Sequence, residues 1–261
     1  MIKIFEACLA LTSKVSVHSA EEAEWIFEGD IPYHIAIIMD GNRRWAARKK
    51  SNKDVAFGHW AGAENIFPIV EAASALGIKE LTFFGFSTEN WQRPLKEVDM
   101  LFQIFEIYLK QNKQKMIDQG VRFHTIGNFE PFSDRLKELI LDVEEATRKS
   151  GKIDLIIAFN YGSQDEIVRA MKKIFGKIKE GLLSIDQITP DLIGAHLDTA
   201  RWRDPDLFIR TSGEMRISNF LLWQLAYTEI YITDVLWPDF TSQDLLEAVG
   251  SYRTRKRRYG L

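Results

Sequence analysis

Four short polar runs stand directly after apolar ones, and their residue types suit a phosphorylated ligand. Asp40-Gly41-Asn42-Arg43-Arg44-Trp45 follows the first apolar run. An aspartate there serves either as a Mg²⁺ ligand or as a helix cap. A cap needs no pair of arginines beside it, where they oppose the helix dipole. In the metal reading, the amides of Gly41 to Arg44 cradle a phosphate. Ser87-Thr88-Glu89-Asn90-Trp91-Gln92-Arg93 follows the second run, and its Asn90 and Arg93 either meet the ligand or build a turn. Asn160-Tyr161-Gly162 follows the fourth. Arg210, Arg216 and Ser218 surround a Ser-Gly turn after the fifth, an arrangement suited to bidentate anion binding. A solvated arginine pair fits poorly there, because Phe208, Ile209, Phe220 and Leu221 mark burial on both sides. His59 follows Gly58 at an expected helix start and is either structural or a donor to phosphate. Glu229 stands among Ala226, Tyr227 and Ile230, where a carboxylate needs a partner, either a cation in an ion pair or a metal.

The elements that must position these residues are legible as a pattern. Short apolar runs at 34–39, 81–86, 121–126, 153–159, 206–209 and 230–235 read as buried strands. Longer segments of helical periodicity separate most of them. Alternation of this kind predicts a single α/β domain with a central, mainly parallel sheet flanked by helices. In such sheets ligands bind at the carboxyl ends of the strands, where the polar runs lie, so the ligand is expected to be an anion with more than one phosphate. The segment 94–120 opens with proline, closes with glycine and reads as one helix. A second helix is expected over 59–76, kinked or interrupted at Pro68.

The chain has 261 residues, 46% hydrophobic and 27% charged, a globular composition. Its net charge of −3 argues against nucleic acid as a partner. The single cysteine, Cys8, excludes an internal disulfide and a cysteine-based zinc site. Residues 1–30 read as an N-terminal extension and 31–261 as the catalytic domain. No Walker loop, dinucleotide fingerprint, H-E-x-x-H or G-x-S-x-G motif is present. The D-D-x-x-D metal motif of trans-type prenyl synthases is also missing.

The run from His34 to Ala46 resembles the first signature of the cis-prenyltransferases, the undecaprenyl diphosphate synthase family. Gly58-His59 with Gly62, Phe86 to Pro94, Asn160 to Gly162, Arg210 to Gln224 and Trp237 to Phe240 are similar to the family's other motifs, in the same order. The resemblance covers about residues 31–260. It implies a Mg²⁺-dependent enzyme that adds isopentenyl diphosphate units to an allylic diphosphate, farnesyl diphosphate being the expected primer. The expected product is a long cis-polyprenyl diphosphate such as undecaprenyl diphosphate, a lipid-carrier precursor for cell-wall glycan. By resemblance, Asp40 is the catalytic aspartate and a Mg²⁺ ligand. Gly41, Asn42, Arg43, Arg44, Trp45 and His59 hold the allylic diphosphate. Asn90 is the proton acceptor, with Ser87, Thr88, Glu89, Trp91 and Arg93 touching substrate around it. Arg210, Arg216, Ile217 and Ser218 bind isopentenyl diphosphate, and Glu229 is a metal ligand supplied by the partner subunit of a homodimer. An apolar substrate tunnel is expected along the 94–118 helix. The implied location is the cytoplasm, with peripheral membrane contact for product release.

Two departures from the family pattern stand out. Arg43 occupies a place where many bacterial members have glycine. Val55 occupies the place of an arginine four residues before the histidine, which makes Lys53 a candidate replacement or a member of a solvated basic loop. Two competing functions would leave their own marks in the sequence. A non-catalytic subunit would be expected to lose Asp40 or the arginine pair. A phosphohydrolase would be expected to have D-x-D, where Asn42 stands.

Overall fold

Along β1 (His34–Ile38), Ile35 and Ile37 pack into one apolar cluster while Ala36 and Ile38 pack into another. Successive strand residues point to opposite faces, so a strand apolar throughout belongs to a sheet covered on both sides. The computed structural model, which describes residues 30–49 and 55–255, has that arrangement. Between β1 and β2 (Glu80–Ser87) run α1 (Asn42–Arg48), α2 (Val55–Glu64) and α3 (Ile66–Ala75). Helix α4 (Leu95–Gln119) leads to β3 (Val121–Ile126), and α5 (Asp134–Thr147) leads to β4 (Ile153–Tyr161). Then come α6 (Ser163–Lys179), α7 (Pro190–Gly194), β5 (Leu207–Arg210), β6 (Glu229–Ile232) and α8 (Ser242–Thr254). The six strands form one sheet in the order β3-β4-β2-β1-β5-β6, with every pairing parallel. Helices α3, α4, α5 and α8 contribute to the larger cluster on one face. Phe220, Leu221, Ile217 and Leu225 cover part of the other.

This is the expected α/β architecture, with local differences. Helix α4 follows Pro94 and stops at Gly120, whose φ of 74° closes the last turn as expected. The helix expected over 59–76 is two helices, and the first begins earlier, at Val55. Pro68 has no N–H to give the Glu64 carbonyl, so α2 ends there and the proline falls in the first turn of α3. Asn65, at the break, donates through Nδ2 to the carbonyls of Trp237 and Phe240 at 2.9 and 2.8 Å. His59 therefore lies inside α2 and not at a helix start. Strand β6 ends at Ile232, short of the expected 235, because Thr233 and Val235 accept from the amides of Gly213 and Ser212 instead. The link between β5 and β6 holds neither helix nor strand over 211–228. Of the proposed 1–30 extension only Asp30 falls among the described residues, and Lys53 falls outside them.

The end of the sheet where the strands begin carries a buried polar cluster, far from the polar runs. His34 shares its ring nitrogens between the Arg203 carbonyl (2.6 Å) and Thr82 Oγ1 (2.8 Å). Asp154 takes two bonds of 2.8 Å from Arg122 and one of 3.0 Å from Trp202. Glu80 accepts from the Arg203 amide at 3.1 Å, and burial pushes its carboxyl up to about 7. In the unfolded chain that carboxyl ionises first as pH rises. The stability of the protonated, buried form is therefore lost between pH 4.5 and about 7. Glu80→Gln removes this titration. Relative to the parent, the variant is expected to gain about 2 kcal/mol in urea unfolding between pH 5 and pH 8. A difference that stays flat across that range would show that Glu80 ionises freely in the fold.

Candidate active site

Asp40 lies just past the end of β1, at the crevice where β1 separates β2 from β5. Its amide donates to the Ile38 carbonyl at 3.0 Å, and its own carbonyl accepts from Thr211 Oγ1 (2.7 Å) and the Trp237 amide (3.0 Å). The next residue, Gly41, is the N-cap of α1 with φ 109°. A side chain there would press on Leu236, so the turn requires glycine. Because the cap is Gly41, with no side-chain capping bond, the Asp40 carboxylate is left for the crevice. The capping role left open by the sequence is thus taken by its neighbour.

The carboxylate meets two arginines. Arg210 Nη2 donates to Asp40 Oδ2 at 2.9 Å, and Arg44 Nη2 approaches Oδ1 at 3.5 Å. Arg210, only 3% exposed, also donates through Nη1 to Ser218 Oγ (2.8 Å) and to the Arg216 carbonyl. It therefore fixes the Arg216–Ser218 turn relative to Asp40. Arg44 donates to the Ser212 carbonyl at 3.1 Å and pairs with Glu214 at 3.2 Å, and Arg216 pairs with the same glutamate.

The second wall is the 3-10 turn Thr88–Gln92. Asn90 Oδ1 accepts the Ser87 amide at 3.1 Å, which closes a capping box. Partial burial pushes the Glu89 carboxyl up, but hydrogen bonds from Ser87, Asn219 and Thr88 outweigh it and hold it below the usual range. Arg93 reaches Glu97 at 3.2 Å, and His59 Nε2 faces the same carboxylate at 3.4 Å. Burial lowers the His59 pKa, so its ring is neutral at pH 7 and can donate through one nitrogen only. Glu97 thus orients both groups. Its signal in the sequence was its position one helical turn after Arg93.

These groups line one cavity of about 860 Å³. Asp40, Gly41, Asn42, Arg43, Arg44 and His59 form one side. Ser87, Glu89, Asn90 and Arg93 form another, and Arg210, Arg216, Ser218 and Asn219 form a third. Past Met39, Gly85 and Leu101 the cavity continues into an apolar pocket of about 70 Å³, walled by Ile104, Phe105 and Tyr108 of α4 with Ile157, Phe159 and Trp237. The 94–118 helix therefore supplies the apolar wall expected of it. The rings of Phe105 and Phe159 stack at 4.2 Å, and the buried Tyr108 hydroxyl has no hydrogen-bond partner among the described residues.

Several expected contact residues stand off the cavity wall. Trp45 turns away to donate to Asp239 at 2.6 Å and to pack on Phe57. Trp91 packs on Phe86 and Phe102 and donates to Asn160 at 2.7 Å. Thr88 hydrogen-bonds Glu89, and Ile217 packs against the smaller apolar cluster. Glu229 opens β6, opposite Leu207 and at the other strand end from Arg210, and pairs with Arg255 at 3.0 Å. Within one chain it does not meet Asp40. Ser212, Glu214 and Asn219, passed over as individual residues, hold or line the site within the same turn-rich link.

Glycines set how closely α1 and α2 approach. A Cβ on Gly58 would overlap the Asn42 carbonyl oxygen, and one on Gly62 would lie 2.6 Å from Asn42 Oδ1. Gly58→Ala must push α1 outward and carry Asn42, Arg43 and Arg44 with it. A stability loss of about 1–3 kcal/mol is expected in chemical unfolding, together with a turnover loss of about tenfold or more. Parent-like turnover in that variant would show that α1 is free to move.

Comparisons with known proteins place the chain in a family. A family model described as "putative undecaprenyl diphosphate synthase" matches residues 38–260. An isoprenyl transferase of Chlamydia trachomatis is 47% identical over 232 residues, 88% of this chain and 92% of the relative. One from Fusobacterium nucleatum is 48% identical over 233 residues, 89% of this chain and 97% of the relative. Lavandulyl diphosphate synthase from Lavandula x intermedia, solved with dimethylallyl diphosphate, superposes with a TM-score of 0.85 at 39% identity. That match covers 88% of this chain and 99% of the plant chain. A Campylobacter jejuni structure titled a probable undecaprenyl diphosphate synthase gives a TM-score of 0.74 at 31% identity, covering 89% of this chain and all of the other. With the ordered motifs, the parallel sheet and the arginine-lined crevice all in agreement, the chain belongs to the undecaprenyl diphosphate synthase family of prenyltransferases.

Proposed function

We propose that this enzyme condenses isopentenyl diphosphate with an allylic diphosphate, farnesyl diphosphate as primer, to make a long cis-polyprenyl diphosphate such as undecaprenyl diphosphate. The observation that carries the reading is one cavity lined by five arginines around Asp40. Arg43 and Arg44 come from α1, Arg93 from the end of the Thr88–Gln92 turn, and Arg210 and Arg216 from β5 and the link after it. Two diphosphates bound there would bring their hydrocarbon ends together. The allylic C–O bond breaks, the double bond of isopentenyl diphosphate supplies the electrons of the new C–C bond, and a proton leaves the condensed product. Arginines that donate to the departing diphosphate stabilise the charge it gains. Asn90 is a poor acceptor for the proton, because a carboxamide is a very weak base, and its Oδ1 also accepts the Ser87 amide. The departing diphosphate is the better base. Asn90 then serves as the residue that shapes the turn.

The donor set fits Mg²⁺. The Asp40 carboxylate offers oxygen ligands beside a cavity built for phosphates, and Mg²⁺ binds through one or two carboxylates plus substrate phosphate oxygens. Bound there, Mg²⁺ would supply charge neutralisation of the leaving diphosphate. Glu229, at the far strand end, could serve only the site of a second copy, so the metal role assigned to it belongs to the homodimer reading. We place the enzyme in the cytoplasm with peripheral membrane contact, which an apolar product requires in order to leave.

A second reading, a short product, is favoured by one observation. The apolar extension is about 70 Å³, and the stacked rings of Phe105 and Phe159 form part of its wall. A long product needs more space than this volume gives. The test is incubation with isopentenyl diphosphate, Mg²⁺ and either farnesyl or dimethylallyl diphosphate, followed by product sizing, with a chelated control. Long products that vanish on chelation support the first reading, and a single condensation supports the second. No transfer with either primer would overturn both.

A further inference from the structure

Asn219 lines the cavity and hydrogen-bonds to two elements beyond its own turn. Its Nδ2 donates to Glu89 Oε1 at 2.7 Å, on the turn that carries Asn90. Its Oδ1 accepts the Gln164 amide at 2.9 Å and its carbonyl accepts the Ser163 amide at 2.8 Å, so one residue satisfies two orphan donors at the start of α6. Its chain neighbour Ser218 accepts from Arg210 at 2.8 Å. The backbone is committed to this arrangement. Ser218, Asn219 and Leu221 have φ of 48°, 60° and 47°, and Leu221 is fully buried. Non-glycine residues hold such angles only where surrounding contacts over-determine them. Gly162 completes the fit, since a Cβ there would overlap Thr88 Oγ1 and lie 2.9 Å from Asn219 Nδ2.

Resting on the two-diphosphate reading, we propose that Asn219 is a positioning residue that couples the two half-sites. It ties the Ser87–Asn90 turn to the Arg216–Ser218 turn through the Glu89 contact. Movement of either turn on binding its diphosphate is passed to the other along this bond. Asparagine suits the task because it tolerates a positive φ and carries both a donor for Glu89 and an acceptor for the α6 amide.

The test exchanges donor and acceptor. N219D keeps the acceptor for Gln164 and tolerates the backbone angle, but it sets a carboxylate against Glu89. In N219D/E89Q the amide is restored on the opposite side of the contact. With unchanged melting temperature, N219D is expected to lower kcat/KM for isopentenyl diphosphate by about tenfold, and N219D/E89Q to return to within about threefold of E89Q alone. Calorimetric titration of inorganic pyrophosphate, which needs no turnover, should follow the same order. Parent-like N219D, or a double variant no better than N219D, overturns the coupling. A parent enzyme without prenyl transfer would instead overturn the two-substrate reading, and the pyrophosphate titration would still decide the contact. If N219D fails to fold, N219G with E89A serves in its place. Additive losses in that cycle would reject the bond as a coupling element.

Discussion

Asp40→Ala is expected to lower kcat by more than about a hundredfold, a loss of at least ~2.7 kcal/mol of transition-state stabilisation. The fold should survive, because Gly41 makes the cap and the Asp40 backbone, not its side chain, binds Thr211 and Trp237. Removing the carboxylate takes the counter-charge from Arg210 and one of two from Arg44, which keeps Glu214. The cavity becomes more positive, so the KM for the allylic diphosphate should hold or fall while kcat collapses. Steady-state kinetics with both substrates varied checks this split. Near-parent kcat would remove Asp40 from the chemistry, and a raised allylic KM with unchanged kcat would make it a binding residue only.

Arg210→Ala is expected to cost about 3 kcal/mol in kcat/KM for isopentenyl diphosphate, roughly 150-fold. The guanidinium is nearly buried and serves Asp40, Ser218 and the Arg216 carbonyl together. Its loss leaves Asp40 without its 2.9 Å partner and releases the turn that holds Arg216. Arg210→Lys should recover little, because an ammonium is a point charge and cannot span three acceptors in a planar fork. Thermal unfolding of both variants separates the loss of the site from the loss of the fold. A lysine variant with parent-like kinetics would show that charge alone is needed there.

How far the sequence carried this reading depends on the range of the interaction concerned. The strands and α4 were legible because they follow from local rules. Apolar runs such as 153–159 declare burial on both faces, and Pro94 and Gly120 bracket a helix through their own backbone preferences. The break before Pro68 was also local, because the proline leaves the Glu64 carbonyl without its helical donor. What was not local is where the Asn65 side chain goes, to the carbonyls of Trp237 and Phe240 far along the chain. Asp40, Arg44, Arg210 and Arg216 were legible as anion chemistry because they lie at or just after the ends of strands whose carboxyl ends converge in any parallel sheet.

What the sequence could not decide was which side chains turn toward the cavity. Trp45 and Trp91 belong to the motifs yet spend their indole N–H groups on Asp239 and Asn160. Glu229 is one residue in the sequence with two available roles, and strand register puts it opposite Leu207, away from Asp40. Glu97, Glu214 and Asn219 carry no signal alone, because a carboxylate or amide acquires its function from the arginine, histidine or helix start packed against it. By itself the sequence determined the alternation of strands and helices, the parallel sheet and the anionic character of the ligand, since composition and short-range periodicity dictate these. Only the tertiary structure decided the Asp40–Arg210 pair, the shared Glu97 contact and the Asn219 bridge. Each joins residues brought together by strand order, and hydrogen-bond geometry at 2.7–3.4 Å is not encoded in any one segment.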